Sequence, residues 1–291
     1  MLLQHIHYPS TTPILYTHTL HIQELLARQH LNHKALLAQS RISSSPPPSS
    51  SSSSSSFLPT APPQPKLLTF TSQPVYTTGL RDSKSLTSSQ VAHLTATGAT
   101  HHASPRGGLT TYHGPGQLTA FLITTLSAHA LSPRCFVHFL EDSVIRTSEI
   151  YGVKAARWSP ALLYAKDQPV TNDEESSRPG VWTGRNSKLC SVGIHFRRGV
   201  SSFGVGFNVS DEVAPWFERI VACGIPEARA VSLLAEQAKQ VRADCVGDAA
   251  MIRVDGVDGV AKSLAGVVAD GLEGVVGVED VDVRELGEME G

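Results

Sequence analysis

Arg106-Gly107-Gly108-Leu109-Thr110-Thr111-Tyr112-His113-Gly114-Pro115-Gly116-Gln117 places four glycines and a proline in twelve residues, a composition that reads as a shaped loop. Glycine reaches left-handed angles and lets a backbone approach a ligand closely. Arg106, Tyr112, His113 and Gln117 supply polar side chains around such an approach. The spacing excludes two nucleotide loops: no Gly-Lys-Ser/Thr follows, and the dinucleotide fingerprint is not met.

Upstream, Lys66–Thr71 predicts a short strand, and Pro74-Val75-Tyr76-Thr77-Thr78-Gly79 a turn in a β-rich start. Residues 43–56 are serine and proline only, and the bias continues to Pro65, so 43–65 is read as a disordered insertion that cannot bury enough apolar surface to fold. Before it, Tyr16–Gln39 is helix-permissive, with Ile22, Leu25, Leu26, Leu36 and Leu37 as a rough apolar stripe. Downstream, Leu118–Leu131 reads as a strand running into a turn at Ser132-Pro133, and Phe136–Gly152 as a helix. Residues 168–179 form a polar insertion before a strand at Val181–Thr183. Cys190, Val192, Ile194 and Phe196 then alternate with Leu189, Ser191, Gly193 and His195, which is strand periodicity. A turn over 197–202 leads to a second alternating strand, whose opposite face carries Gly204, Gly206 and Asn208. Missing side chains there point to close approach by a ligand or by another backbone. Ser210 or Asp211 is expected to cap a helix buried through Val213, Phe217 and Ile220, with Gly224 as its stop. Ala230–Val241 reads as a further helix with Val231, Leu234, Ala238 and Val241 inward.

The 291 residues carry a net charge of −2, unevenly spread: residues 246–291 hold eleven acidic and three basic side chains, leaving +6 on the remainder. A basic body steers acidic partners toward it. The tail 246–291 is rich in valine, glycine and aspartate without a stable period and is read as partly ordered at best, outside a main domain over 1–245. Removing it is expected to cost little. No apolar run is long enough to cross a bilayer, and no membrane or nucleic-acid partner is indicated. Cys135, Cys190, Cys223 and Cys245 lack zinc-ribbon or disulfide-framework spacing. The thirteen histidines show no His-Glu-x-x-His and are read as scattered on the surface, with no metal site.

Together with Lys188-Leu189-Cys190-Ser191-Val192-Gly193-Ile194 and Phe203–Val209 leading to Ala222-Cys223-Gly224-Ile225, the opening stretch closely resembles the lipoyl(octanoyl) transferases, over roughly Tyr16–Val241. The resemblance implies an α/β (α+β) fold, a mixed sheet flanked by helices like the biotin/lipoate protein ligase catalytic domain. It implies octanoyl transfer from octanoyl-acyl carrier protein to a lysine of lipoyl domains, those of the 2-oxoacid dehydrogenase complexes and the glycine cleavage H protein, by a mitochondrial monomer without cofactor. Cys223 matches the family's acyl-carrying cysteine and Lys188 the lysine that activates it. The substrate pocket carries over to Arg106, Gly107, Gly108, Leu109, Thr110, Thr111, Tyr112 and His113, to Ser191, Val192 and Gly193, and to Gly204, Val205 and Gly206. Gly206 stands where the family usually has alanine, and Ala222 where it has proline. A free thiol, with pKa ~8.5, is mostly protonated near neutrality, so a neighbouring cation is required. Backbone N–H groups of the glycine-bearing segments are candidates for holding the thioester oxygen. Two rivals are an ATP-dependent lipoate or biotin ligase, which would not use an acyl-cysteine, and a non-catalytic binder of lipoyl domains.

Overall fold

The computed structural model describes residues 1–43, 61–158, 179–220, 227–243 and 253–284. Most of the expected insertions, and Cys223 with Gly224, lie outside these residues. In chain order the strands are β1 (Leu3–His7), β2 (Lys66–Phe70), β3 (Val75–Thr78), β4 (Thr100–Ala103), β5 (Thr110–His113), β6 (Gln117–Ile123), β7 (Ala156–Arg157), β8 (Gly180–Gly184), β9 (Ser187–Arg197), β10 (Val200–Asn208), β11 (Arg229–Ala230) and β12 (Val278–Val281). The helices are α1 (Tyr16–Ser43), α2 (Ser88–Thr95), α3 (Pro133–Ile150), α4 (Ala214–Phe217), α5 (Leu233–Ala243) and α6 (Gly256–Gly271).

The main sheet runs β12-β1-β2-β6-β10-β9-β8-β7, with β11 added beside β9, and β4-β3-β5 form a second, smaller sheet. The main sheet is mixed: β1 is parallel to both β2 and β12, whereas the run from β2 through β6, β10, β9 and β8 to β7 is antiparallel. Helices cover both faces, α1 against β10 and β6, and α3 with α6 against β6, β9 and β10. Val192, Ile194 and Phe196 pack into the cluster that contains α3, where Phe136 meets Phe196 edge-on at 5.7 Å. The expected α/β arrangement and the strict alternation of β9 are therefore observed.

Several expectations change for identifiable reasons. The helix after Ser132 starts at Pro133, with the Ser132 side chain accepting from the Cys135 N–H at 3.1 Å. The segment 74–79 is strand β3, because Val75–Thr78 pair with both β4 and β5. The strand from Gln117 stops at Ile123 and a 3-10 turn follows over Leu126–His129. The turn between β9 and β10 is only Arg198-Gly199, both left-handed (φ 51° and 75°), so pairing reaches further toward the tip than 197–202 suggested. After Ser210, which makes no side-chain cap bond, the chain forms a 3-10 turn (Asp211–Val213) and the four-residue α4 in place of one helix. Val213 and Phe217 are nonetheless buried. In α1 the inward face is mixed, Thr19, Gln23 and His30 joining Ile22 and Leu26, and Leu36 is exposed. In α5 the inward residues are Leu233, Glu236 and Gln237, while Leu234 and Val241 face solvent.

The largest change concerns the tail. Val260, Ala261, Leu264, Ala265, Val268 and Ala269 of α6 belong to the main core, and β12 extends the sheet beside β1. Valine and alanine at helical spacing here are a buried face, which an eye drawn to Gly and Asp passes over.

Histidines are not confined to the surface either: His5, His30, His113 and His129 are buried. Burial is the first cause that lowers each of their pKa values, His30 to about 4 and His113 to about 3. The unfolded chain binds protons below about pH 6.5 while these folded imidazoles stay neutral. Stability is therefore full above that pH and lost as pH falls toward the folded values. Between pH 7 and 5.5 the loss is about 1 kcal/mol for each of His30 and His113. Urea unfolding at the two pH values measures it, and His30→Asn should reduce the slope; a pH-independent unfolding energy would contradict the assignment.

Candidate active site

A cavity of about 640 Å³ opens between the small sheet and the β9-β10-β6 face of the main sheet. The opening stretch builds one wall, but only part of it is loop. Arg106–Leu109 form the loop, with Gly108 at φ 97°, Thr110–His113 are β5, and Gly116 at φ 82° turns the chain into β6. Alternation along β5 sends Thr111 and His113 to the cavity and Tyr112 away from it. Tyr112, expected in the pocket, instead stacks on Trp216 (5.1 Å) and meets Phe217 edge-on. Arg106, Gly107, Gly108, Leu109, Thr110, Thr111, His113, Lys188, Ser191, Val192, Gly193, Gly204, Val205 and Gly206 all line the cavity.

Arg106 is a buried strut. Its Nη2 donates to the carbonyl and hydroxyl of Thr77 at 2.7 and 2.8 Å, and its Nη1 to the Gly107 carbonyl at 3.0 Å. That position depends on Gly193: a Cβ there would lie 2.9 Å from Arg106 Cδ. Gly204 has a different reason to lack a side chain, because a Cβ would fall 2.0 Å from the Ala120 carbonyl oxygen. Close backbone approach thus explains Gly204, while the same bare surface also forms cavity wall. A Cβ at Gly206 would lie 2.8 Å from Gln117 Oε1.

Gln117 is the centre of a buried relay. Its Oε1 accepts from His113 Nδ1 (2.8 Å), its Nε2 donates to Asn208 Oδ1 (3.0 Å), and Asn208 Nδ2 donates to the Val231 carbonyl (3.1 Å). Because Gln117 Oε1 can only accept, the proton of the neutral His113 ring sits on Nδ1. His113 stacks on Tyr16 at 5.4 Å, and burial holds the Tyr16 phenol at about 12 against the pull of Arg106. Tyr16, Phe121 and Phe203 in the wall carried no local sequence signal that separates them from core aromatics.

Lys188 reaches the cavity through a bulge. Val181 pairs with Cys190 but Trp182 pairs with Lys188, so Leu189 is an extra residue that re-aims its neighbours. Lys188 is 4% exposed, with Nζ donating to the Pro179 carbonyl at 3.2 Å and 5.2 Å from the Trp182 ring centroid. Gly180, at φ 135°, leaves room for it, since a Cβ would sit 2.7 Å from Lys188 Cε. The Gly180 N–H donates to Glu141 at 2.8 Å; burial raises that carboxyl's pKa, and the Gly180 N–H, Arg157 and Lys188 partly offset it. Cys190 is close in sequence, yet burial pushes its thiol up and it lies in the core. Cys223 lies outside the described residues. The chain before it contributes Phe217 and Ile220 to the cavity wall, and the chain after it re-enters as β11, pairing Arg229 with Ser187 and Ala230 with Lys188.

Two amides expected to hold a thioester oxygen are otherwise engaged. Gly107 N–H donates to the Ile194 carbonyl at 3.0 Å and Thr110 N–H to Asp82 Oδ2 at 2.7 Å. Among the described residues no cluster of His, Cys, Asp or Glu could hold a metal ion.

Comparison with known proteins agrees with this architecture. The chain is 35% identical over 178 residues to the mitochondrial octanoyl-[acyl-carrier-protein]:protein N-octanoyltransferase LIPT2 of Danio rerio, an alignment covering 61% of this chain and 70% of that one. It is 36% identical over 168 residues to the Homo sapiens protein of the same name, covering 58% and 64%. The chain spans roughly three-fifths of the length of several curated relatives that it matches, 61% in one from Drosophila melanogaster. A crystal structure of lipoate-protein ligase A bound with ATP superposes with a TM-score of 0.53 at 12% identity, over 78% of this chain and 79% of that one, which speaks for the fold alone. Residues 56–252 match the lipoyl protein ligase A/B catalytic domain, and the chain belongs to that family.

Proposed function

We propose that this protein transfers an octanoyl group from octanoyl-acyl carrier protein to a lysine of lipoyl domains, through a thioester on Cys223. The observation that carries the proposal is Lys188, a buried lysine brought by a bulge into a cavity lined by glycines, apolar side chains and polar groups. Its neighbour in the sheet is β11, and Cys223 follows Ile220 of the cavity wall by three chain steps, spanning at most about 11 Å. The octanoyltransferase relatives support the same reading.

In this reading Lys188 takes the proton of the Cys223 thiol, and the thiolate attacks the thioester carbonyl carbon. The bond from that carbon to the donor sulfur breaks, and Lys188 returns the proton to the departing thiolate. The acceptor lysine's neutral amine then attacks the acyl-cysteine, an amide forms, and its surplus proton passes through Lys188 to the Cys223 sulfur. No ATP is required, because the thioester is already activated. Arg106 ties its loop to β3 through Thr77, and the Phe121, Phe203 and Val205 surface accepts the alkyl chain. In this reading the acceptors are the lipoyl domains of 2-oxoacid dehydrogenase complexes and the glycine cleavage H protein, and the protein acts as a monomer; the names of its relatives support a mitochondrial location.

Intact mass after mixing with octanoyl-acyl carrier protein should show one added octanoyl group, mapped by peptide analysis to Cys223 and absent in Cys223→Ser. No adduct on the wild type, or one that persists in Cys223→Ser, would refute the acyl-cysteine route.

A further inference from the structure

A second cavity, of about 440 Å³, adjoins the first, and Leu109, Thr110 and Ile220 belong to the walls of both. Its size falls in the range of roughly 300–1,000 Å³ found for small-molecule sites. Its lining is mixed, with Leu86, Leu94, Leu109 and Ile220 beside polar and charged groups. Asp82 and Ser85 come from the loop after β3, Ser89, Gln90 and His93 from α2, and Arg219 from the end of the α4 segment. Ser89, Gln90 and His93 are exposed, so the groove is open to solvent along α2, whereas Thr110 at the junction is buried. One positive charge lines it, Arg219, half-buried and fixed by an Nη1 bond to the His93 carbonyl at 3.2 Å, and one negative charge, Asp82, whose Oδ2 accepts from the Thr110 N–H and hydroxyl.

A thioester has two arms that diverge at its carbonyl carbon. With the alkyl arm in the first cavity, a leaving arm directed past Leu109, Thr110 and Ile220 enters the second cavity, which shares those residues. The thiol arm of an acyl carrier protein is a pantetheine chain with two amides and a hydroxyl, ending in a phosphodiester. A groove that combines Ser85, Ser89, Gln90, His93 and the Arg219 cation with Leu86, Leu94, Leu109 and Ile220 suits a chain of amides and methylenes that ends in a phosphodiester; the four methylenes of the acceptor lysine would use only its apolar part.

We propose that the second cavity binds the pantetheine arm of the donor, which makes it the element that distinguishes an acyl carrier donor from a shorter thioester. The proposal rests on the acyl-transfer reading above. When the carbon–sulfur bond breaks, the arm leaves as a thiol, carrying the proton that Lys188 returns to it.

The test compares acyl-enzyme formation, followed by intact mass against time, from octanoyl-acyl carrier protein and from octanoyl-N-acetylcysteamine, whose thiol portion is too short to extend along the groove. Arg219→Ala removes the charge, and Ser89→Trp fills the groove from an exposed helix position that leaves the core untouched. For the carrier-protein donor, kcat/KM should fall about tenfold or more in each variant, as expected when a charged hydrogen bond or its site is lost. For the short donor it should change less than about twofold on the same scale. Equal losses with both donors, no loss with either, or an effect confined to the KM of the lipoyl-domain acceptor would overturn the assignment of the groove. A wild-type protein that is acylated by neither donor would instead sink the acyl-transfer reading itself, and the groove assignment with it.

Discussion

Lys188→Arg is expected to abolish octanoyl transfer while leaving Cys223 alkylatable near neutral pH. Guanidinium keeps the positive charge that favours a thiolate, but does not shed a proton at working pH, so it cannot return one to the leaving thiol. Loss of a positioned acid–base group typically costs about 10²–10⁴-fold in rate. The site leaves little slack: Lys188 is buried beside Trp182 and against Gly180, where the branched head of arginine must displace neighbours. Lys188→Ala therefore serves as the companion variant. It should lose transfer to a similar degree and in addition shift the iodoacetamide-labelling profile of Cys223 upward, by about one to three pH units if the ammonium lies within ~4–6 Å. An active Lys188→Arg enzyme would remove the proton-carrying role. An unshifted labelling profile in Lys188→Ala would show that the ammonium does not act on this thiol.

The second large effect lies far from that cavity. Ending the chain at residue 252 should yield insoluble protein or protein without a cooperative melt, the reverse of what composition suggested for the tail. Val260, Leu264, Val267 and Val268 of α6 are buried, and removing them from water contributes about 6–12 kcal/mol. That rivals the whole stability of a typical domain, about 5–15 kcal/mol. The cut also strips polar partners: His129 Nδ1 from the Glu273 carbonyl (2.7 Å), the Tyr151 hydroxyl from Asp255 (3.1 Å), and His5 from Asp280 (2.9 Å). Leu264→Ala, a single cavity costing about 2–5 kcal/mol, provides a graded version readable by urea unfolding. A soluble truncated protein melting within a few degrees of the full chain would show that α6 is dispensable.

What was legible in the residues followed from local rules. The strict alternation from Cys190 determined a strand whichever neighbour it found, whereas Ser132-Pro133, expected as a turn, caps and opens the helix expected from Phe136. The glycines of the opening stretch implied left-handed angles, and Gly108 and Gly116 adopt them. What escaped depends on partners distant in sequence. Tyr112 is polar and sits in the pocket motif, yet β5 turns it onto Trp216, a neighbour set by tertiary packing. Gly180 gives no sign in sequence that it makes room for Lys188, since the bulge at Leu189 comes from a two-strand register. In α5 the apolar residues Leu233 and Leu234 are adjacent, and only the surrounding structure decides that the first is buried and the second exposed. The tail was misjudged because its helix hides its buried face behind glycine and aspartate, and because β12 has no stability apart from β1.

That pairing bears on how the molecule is made. Leu3 lies against Val278 and Ile6 against Val281, so the sheet's first strand meets its outer neighbour only after some 275 further residues have been synthesised. Contacts of such separation are slow to form, because loop closure precedes any gain from the contact. On a ribosome adding about 5–20 residues per second, β1 and β2 can pair early, but the nascent sheet keeps an unfilled edge beside β1 until Val278–Val281 have been added. An open edge beside an exposed core invites pairing with other chains. The late arrival of Glu279 and Asp280, two acidic side chains on the strand that finally covers it, places like charges along the β12 border of the sheet, opposite the β7 border.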